Sequence, residues 1–159
     1  MFLETEVAAQ VGTFALAPQV ADAVKVPVIA AGGIADARGV AATFALGASG
    51  VQIGTAYLRC PEATTSAVHR AALKSEAARN TALTNLFSGG AARGIVNRVM
   101  RELGVMSPVA PAFPLATATM APLRAHAEQQ GSGDFSPLWS GQNATGCQDP
   151  DSPVNEFQA

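Results

Sequence analysis

Two short apolar runs, each followed at once by a glycine turn, constrain the fold more than any other feature of this 159-residue sequence. Residues 26–31 (VPVIAA) have the length of a strand and no polar side chain, which predicts a strand buried on both faces. Residues 50–53 (GVQI) predict a second strand. Asp36 is placed to cap a helix between them, and Gly47 to end it. Because the connections are short, this order predicts a βαβ unit with parallel strands.

Further helices are predicted on both sides of this unit. The segments run over residues 12–25, from Pro61 to about Arg79, over 92–104 and over 114–131. Residues 92–104 space their apolar side chains as on one face of a helix, with Gly104 as its end. Pro122 favours a bend in the last helix.

Charge and composition exclude several kinds of partner. Residues 1–124 carry ten Lys and Arg against seven acids, whereas residues 125–159 carry five acids and no Lys or Arg. Neither part is basic enough to predict nucleic acid as a partner. No run reaches the roughly 18 apolar residues of a membrane span, and the first ten residues carry acids where a signal peptide carries basic residues. We therefore expect a cytoplasmic protein with no membrane partner.

The composition also changes along the chain. The acidic end, rich in Gly, Ser, Pro and Asp, predicts an irregular tail. This divides the sequence into residues 1–112, with the strands and the helices that follow, and residues 113–159, with a helix and the tail.

Cysteine and histidine residues are isolated in the sequence. Cys60 and Cys147 have no close partner of the kind that metal sites or redox motifs use, which favours two ordinary thiols. His69 and His126 also lack a partner at metal-ligand spacing, so structural or surface roles are expected and no metal site is predicted.

Both strands end in a glycine turn that feeds a helix. The first turn holds Gly32 and Gly33, and the second holds Gly54 and Thr55. Neighbouring parallel strands place such turns side by side, and glycine leaves the amide N–H groups uncovered for an anion. The pair predicts a phosphate cradle in which the following helix dipole favours the charge. The alternative is that the glycines only make tight turns. No GxGxxG stretch supports a dinucleotide-binding fold.

The sequence TFALAPQVADAVKVPVIAAGGIADARGVAATFALGASGVQIGTAYLRCPEA resembles the nitronate monooxygenase (2-nitropropane dioxygenase) family. The resemblance continues through LFSGGAARGIVNRVMRELG and GSGDFSPLWSGQNATGC, where Ser140-Gly141-Gln142 matches a C-terminal motif. It implies an α/β fold, the C-terminal portion of a (β/α)8 TIM barrel that contributes its last two parallel strands and additional C-terminal helices. It also implies FMN as cofactor, with its phosphate at the two glycine turns.

The resemblance implies the oxidation of alkyl nitronates with O2. The family has a histidine beside the flavin, and Gln10 stands at that position here. Since an amide cannot accept a proton near neutral pH, the catalytic residue is unknown and general-base chemistry is expected to be lost. A nitronate is already deprotonated, so its oxidation does not need that base.

The length of the chain bears on activity. A (β/α)8 barrel commonly needs about 250 residues, so we expect a truncated chain that self-associates or pairs with a complementing N-terminal half. Two alternatives to a nitronate monooxygenase stay open. One is a flavin-dependent enoyl-ACP reductase, and the other is a non-catalytic remnant that binds a phosphate or a partner chain.

Overall fold

The computed structural model of the chain describes residues 7–147. The contacts divide the described residues into two compact units. The glycine-turn unit comprises residues 7–64 and 141–147, and the hairpin unit comprises Thr65–Ser140. Neither boundary coincides with the division after residue 112, which stays a prediction.

The glycine-turn unit is an α/β arrangement around one pair of strands. Its elements are a 3₁₀ helix at Val7–Ala9, α1 (Thr13–Ala23), β1 (Ile29–Ala31), α2 (Ala37–Ala45), β2 (Gly50–Gln52), α3 (Thr55–Leu58) and a 3₁₀ helix at Ala144–Gly146. β1 pairs with β2 in parallel, from Ile29 opposite Gly50 to Ala31 opposite Gln52. The predicted βαβ unit is thereby confirmed.

The core of this unit is small and rich in alanine. One cluster packs Ala17 of α1 against Ala30 of β1 and Ala48, with Ile34 and Leu46 at its margin. The small side chains let the helices lie close to the strands. The prediction that the first strand is buried on both faces was wrong, because Ile29 is 59% exposed and only one face of β1 meets this cluster.

The hairpin unit is built around an antiparallel strand pair. Its elements are α4 (Ala67–Lys74), a 3₁₀ helix at Glu76–Arg79, β3 (Thr81–Thr84), β4 (Ala92–Ile95), α5 (Arg98–Leu103) and α6 (Ala116–Gln129). β3 and β4 pair from Thr81 opposite Ile95 to Thr84 opposite Ala92. Its core packs Leu86, Phe87, Val99 and Met100 together.

Two helix predictions were wrong in part. The helix expected to open at Pro61 begins only at Ala67, because the Ser66 hydroxyl caps α4 by accepting from the His69 N–H at 3.3 Å. The helix expected over residues 92–104 is β4 followed by α5, because the first four of these residues pair with β3. Gly104 ends α5, as predicted.

No helix within residues 7–147 is long and apolar enough to cross a bilayer.

Candidate functional site: the two glycine turns

The first turn leaves β1 through two glycines in the left-handed region. Gly32 has φ +102° and Gly33 has φ +77°, values that residues with a Cβ adopt at a cost. Thr13, at the start of α1, donates its hydroxyl to Ala31 O at 3.0 Å and lies over this turn. A Cβ on Gly32 would stand 3.0 Å from Thr13 Oγ1, whereas one on Gly33 would meet no heavy atom within 4 Å. The backbone at Gly33 therefore borders open space.

The second turn leaves β2 and enters α3 through Gly54. Gly54 is the N-cap of α3 with φ −106°, and no side chain caps the helix. A Cβ at Gly54 would meet no heavy atom within 4 Å. The hydroxyl of the next residue, Thr55, accepts a hydrogen bond from Gly141 N at 2.8 Å.

The strand register brings the two turns to the same end of the sheet. Ala31 and Gln52 are the last paired residues of β1 and β2, and both chains leave the sheet from there. Gly32 and Gly33 therefore lie at the same sheet end as Gly54 and Thr55. This is the neighbouring arrangement that parallel strands predict.

The turns present backbone donors on the surface. Gly33 is exposed, while Ile34 and Thr55 are partly exposed. Among the backbone hydrogen bonds of residues 7–147, none uses the N–H of Gly33, Ile34 or Thr55 as donor. Backbone amides of exposed turns that are not used in such bonds can bind an anion through hydrogen bonds.

The helix after the first turn has its predicted Asp36 cap, and this cap changes the role expected of its dipole. The N-terminus of α2 is already capped, because the Asp36 carboxylate accepts from Gly39 N at 3.0 Å. That bond and the guanidinium of Arg38, at 2.6 Å, hold the pKa of Asp36 below its usual value. An anion at this turn would meet the backbone of Gly33 and Ile34, and the dipole of α2 is used by its own carboxylate.

Gln10 lies between the N-terminal 3₁₀ helix and α1. Its side chain is exposed, and its backbone N–H donates to Val7 O at 3.4 Å. No distance places Gln10 at the two turns, so its correspondence to the family histidine stays a prediction.

The segment at residues 141–147 contributes contacts that sequence reasoning missed. The amide of Asn143 donates from Nδ2 to Gly33 O at 3.3 Å, and Gly141 N donates to Thr55 Oγ1. The sequence drew attention to Ser140-Gly141-Gln142 only as a motif. Asn143 lies 110 positions from its partner, so no local pattern could have identified the contact.

The other residues considered from the sequence have structural roles in the hairpin unit. His69 donates from Nε2 to Trp139 O at 2.8 Å, and burial lowers the pKa of its ring. Trp139 packs edge-to-face on Phe87 with ring centres 5.8 Å apart. Arg93 falls in the helix predicted over residues 92–104 but lies in β4, where it donates to Thr81 O at 3.2 Å. Residues 7–147 contain no cluster of three or more His, Cys, Asp or Glu suited to a metal ion.

Comparison with known proteins gives a consistent result. The family model for nitronate monooxygenases matches residues 4–157. A probable nitronate monooxygenase of Bacillus subtilis is 44% identical over 141 residues, which cover 89% of this chain and 41% of that protein. A probable nitronate monooxygenase of Staphylococcus aureus is 41% identical over 133 residues, or 84% of this chain and 38% of that protein. The chain thus spans about two fifths of the length of these relatives.

Solved structures show the same likeness in three dimensions. Nitroalkane oxidase from Streptomyces ansochromogenes is similar with a TM-score of 0.79 and 39% identity, over 87% of this chain and 39% of that one. FabK from Thermotoga maritima is similar with a TM-score of 0.68 and 31% identity, over 94% of this chain and 47% of that one. The α/β arrangement described above is therefore shared with both.

Proposed function

The chain belongs to the nitronate monooxygenase family, and from that premise we propose that it serves the flavin-dependent oxidation of alkyl nitronates with O2. The observation that supports this most directly is the pair of glycine turns at one end of β1 and β2. Their exposed amides form an anion site where the family resemblance implies the phosphate of FMN.

The residues of the two turns fit a phosphate group. Open space borders Gly33 and Gly54, where a side chain would stand in the way of a ligand. The amides of Gly33, Ile34 and Thr55 would hold the phosphate oxygens. Arg38 pairs with the nearby Asp36 carboxylate and reduces its repulsion of an anion. When bound, the flavin supplies the redox chemistry by taking electrons from the nitronate and passing them to O2.

We further propose that β1 and β2 correspond to the last two strands of a (β/α)8 barrel. The likeness to nitroalkane oxidase and the parallel register support this, as do the exposed side chains of β1. The chain spans about two fifths of its curated relatives, so the catalytic protein would include further strands. They would come from a complementing half or from a self-associated assembly.

FMN binding by the purified chain tests this proposal. We expect FMN fluorescence to be quenched on titration with the protein, and Gly54→Asp to weaken binding by at least tenfold because it places bulk and negative charge at the cradle. Gly33→Asp should act in the same way. Riboflavin, which lacks the phosphate, should respond much less to either substitution.

The control separates ligand contacts from backbone strain. Gly131 lies in the hairpin unit with φ +73° and open space at its Cβ position, close to the φ +77° of Gly33. Gly131→Asp therefore matches the strain of Gly33→Asp at a residue outside the two glycine turns. Equal FMN affinity for the wild type and Gly54→Asp would contradict the proposed site.

Reduction of the bound flavin separates the candidate activities. A nitronate should bleach the flavin anaerobically, and O2 should restore its colour. Bleaching by NAD(P)H alone would instead favour the enoyl-ACP reductase alternative. If the chain binds phosphate but neither the nitronate nor NAD(P)H bleaches its flavin, the result would match the non-catalytic alternative.

A further inference from the structure

Residues 141–147, which we call the clamp, contact both glycine turns within the glycine-turn unit. Asn143 Nδ2 donates to Gly33 O at 3.3 Å in the first turn. Gly141 N donates to Thr55 Oγ1 at 2.8 Å in the second. One short segment thus holds a polar atom of each turn.

The clamp is itself attached behind the turns. Arg59, which follows α3, donates from Nη1 to Ala144 O at 3.3 Å and also to Cys147 O. Cys147 packs against Ala35 and Ala56, the first lying after the first turn and the second in α3. These contacts fix the position of the clamp, and its hydrogen bonds in turn fix the position of both turns.

Gly146 makes room for the Asn143 side chain. A Cβ at residue 146 would lie 2.5 Å from Asn143 Oδ1 and 2.9 Å from its Cγ. Since real Cβ atoms essentially never come so close, any side chain at 146 would move the Asn143 amide away. The position of Asn143 thus depends on glycine three residues later.

The hydrogen bond to the Gly33 carbonyl also fixes the direction of the next backbone N–H, that of Ile34. In a trans peptide the C=O of one residue and the N–H of the next point in opposite directions. When Gly33 O faces Asn143, the Ile34 N–H must face away from the clamp. The contact at Thr55 acts similarly: the Gly141 N–H takes a lone pair of the hydroxyl, whose own proton is left to donate elsewhere.

We propose that Asn143 is a positioning residue that aims the Ile34 amide at the anion bound by the two turns, with Gly141 directing the Thr55 hydroxyl to the same anion. This inference rests on the phosphate cradle of the proposed function. The ligand group is a phosphate, whether free or part of a flavin nucleotide.

The experiment follows backbone amides by ¹H–¹⁵N NMR while inorganic phosphate is added. In the wild type we expect phosphate to shift the Ile34 and Gly33 amide signals. Asn143→Ala should weaken phosphate binding by about tenfold, because a misdirected Ile34 amide loses roughly one hydrogen bond to the phosphate. FMN affinity should fall by a similar factor, and riboflavin affinity should stay the same.

Two further variants distinguish positioning from general damage. Gly146→Ala keeps the asparagine but displaces its amide, so it should reproduce the Asn143→Ala effect. Asn143→Gln retains the NH2 donor and should recover part of the affinity. Asn80→Ala, which removes the same kind of side chain at an exposed residue of the hairpin unit, is the matched control and should bind as the wild type does.

Each outcome bears on the inference. Wild-type phosphate affinity in Asn143→Ala, or equal losses for FMN and riboflavin, would overturn it. A chain in which phosphate binds in an Asn143-dependent way but FMN does not bind would support the inference while the proposed function fails. A wild type that binds neither phosphate nor FMN would overturn both.

Discussion

Under the proposed function, the amide at residue 10 predicts which form of the substrate is oxidised. Gln10 is exposed and stands where the family resemblance places a histidine. When the chain is combined with its proposed complementing half, Gln10→His should raise the rate of oxidation of a neutral nitroalkane several-fold. The reason is that an imidazole can accept the proton that must leave carbon. Oxidation of the preformed nitronate should change by less than about twofold. Oxygen consumption with each form of one nitro compound measures both rates.

The pH dependence supplies the control for this substitution. Activity gained through an imidazole base should rise with pH around the ordinary histidine pKa of about 6.5, and Gln10→Asn should gain nothing. Equal increases for nitroalkane and nitronate would contradict a role in proton transfer.

Asn97 shows how one side chain can join a cap to a loop. Its Oδ1 caps α5 by accepting from Met100 N, while Nδ2 donates to Gly133 O and Ser136 O, both at 2.9 Å. Because Asn97 is only 6% exposed, Asn97→Ala would remove a buried donor from both carbonyls, which would keep only the backbone donors Ser136 N and Leu138 N. We expect it to lower the free energy of unfolding by about 3 kcal/mol, measured by urea denaturation.

The isosteric variant at this position separates the cap from the donors. Asn97→Asp keeps the capping oxygen but turns a donor into a second acceptor that faces two carbonyl oxygens. It should therefore destabilise at least as much as Asn97→Ala. Near wild-type stability for Asn97→Asp would show that the cap alone matters.

At the scale of elements, α6 is joined to the segment that follows it through Glu128. The buried Ser136 hydroxyl donates to Glu128 Oε1 at 2.7 Å, and Arg124 donates to the same oxygen at 2.9 Å. The Ser136 bond is the larger cause that lowers the pKa of Glu128 from its ordinary 4.5. The ionised carboxylate is therefore favoured in the folded state.

This lowered pKa predicts a pH-dependent stability. The contribution is complete above the ordinary Glu pKa and is lost as the pH falls through the lowered folded value. Ser136→Ala should reduce the free energy of unfolding by about 1 kcal/mol at pH 7, and by less once Glu128 is protonated. Thermal unfolding of both proteins at pH 7 and at pH 3 measures the difference. A gap of the same size at both values would contradict the role of the charged carboxylate.

The elements that could be predicted from sequence are those whose cause is local. Asp36 was predicted to cap α2, and its carboxylate does so through Gly39 N, three residues away. β1, β2 and their parallel pairing followed from short apolar runs and the helix between them. In each case the deciding residues lie close together along the chain.

The elements that were missed depend on distant partners. The apolar spacing of residues 92–104 suits a helix, but β4 forms because it pairs with β3 and packs closely on Leu138, whose carbonyl oxygen would be 3.0 Å from a Cβ at Gly94. The candidate site shows the same division. The glycine turns could be predicted from their neighbours along the chain, whereas the Asn143 contact could not.

On the scale of the whole molecule, the described residues expose apolar side chains in both units. Phe14, Val26 and Ile29 are 74%, 67% and 59% exposed in the glycine-turn unit, and Val109 and Leu115 are 69% and 64% exposed in the hairpin unit. Among residues 7–147, β1, β2 and β3 each have one edge without a partner strand, whereas the second edge of β4 is hydrogen-bonded to residues 138–140. Such edges and apolar surfaces favour association.

We therefore expect concentration-dependent association of the chain, in which β1 takes part. Ile29→Lys should shift sedimentation towards the monomer, because a charged side chain on an exposed strand opposes edge pairing and apolar contact. Gln129→Lys, on the exposed surface of α6, adds the same charge outside β1 and should leave association unchanged. If both variants associate as the wild type does, β1 is not part of the contact. If only Ile29→Lys dissociates, the face of β1 that carries Ile29 is part of the contact between copies of the chain.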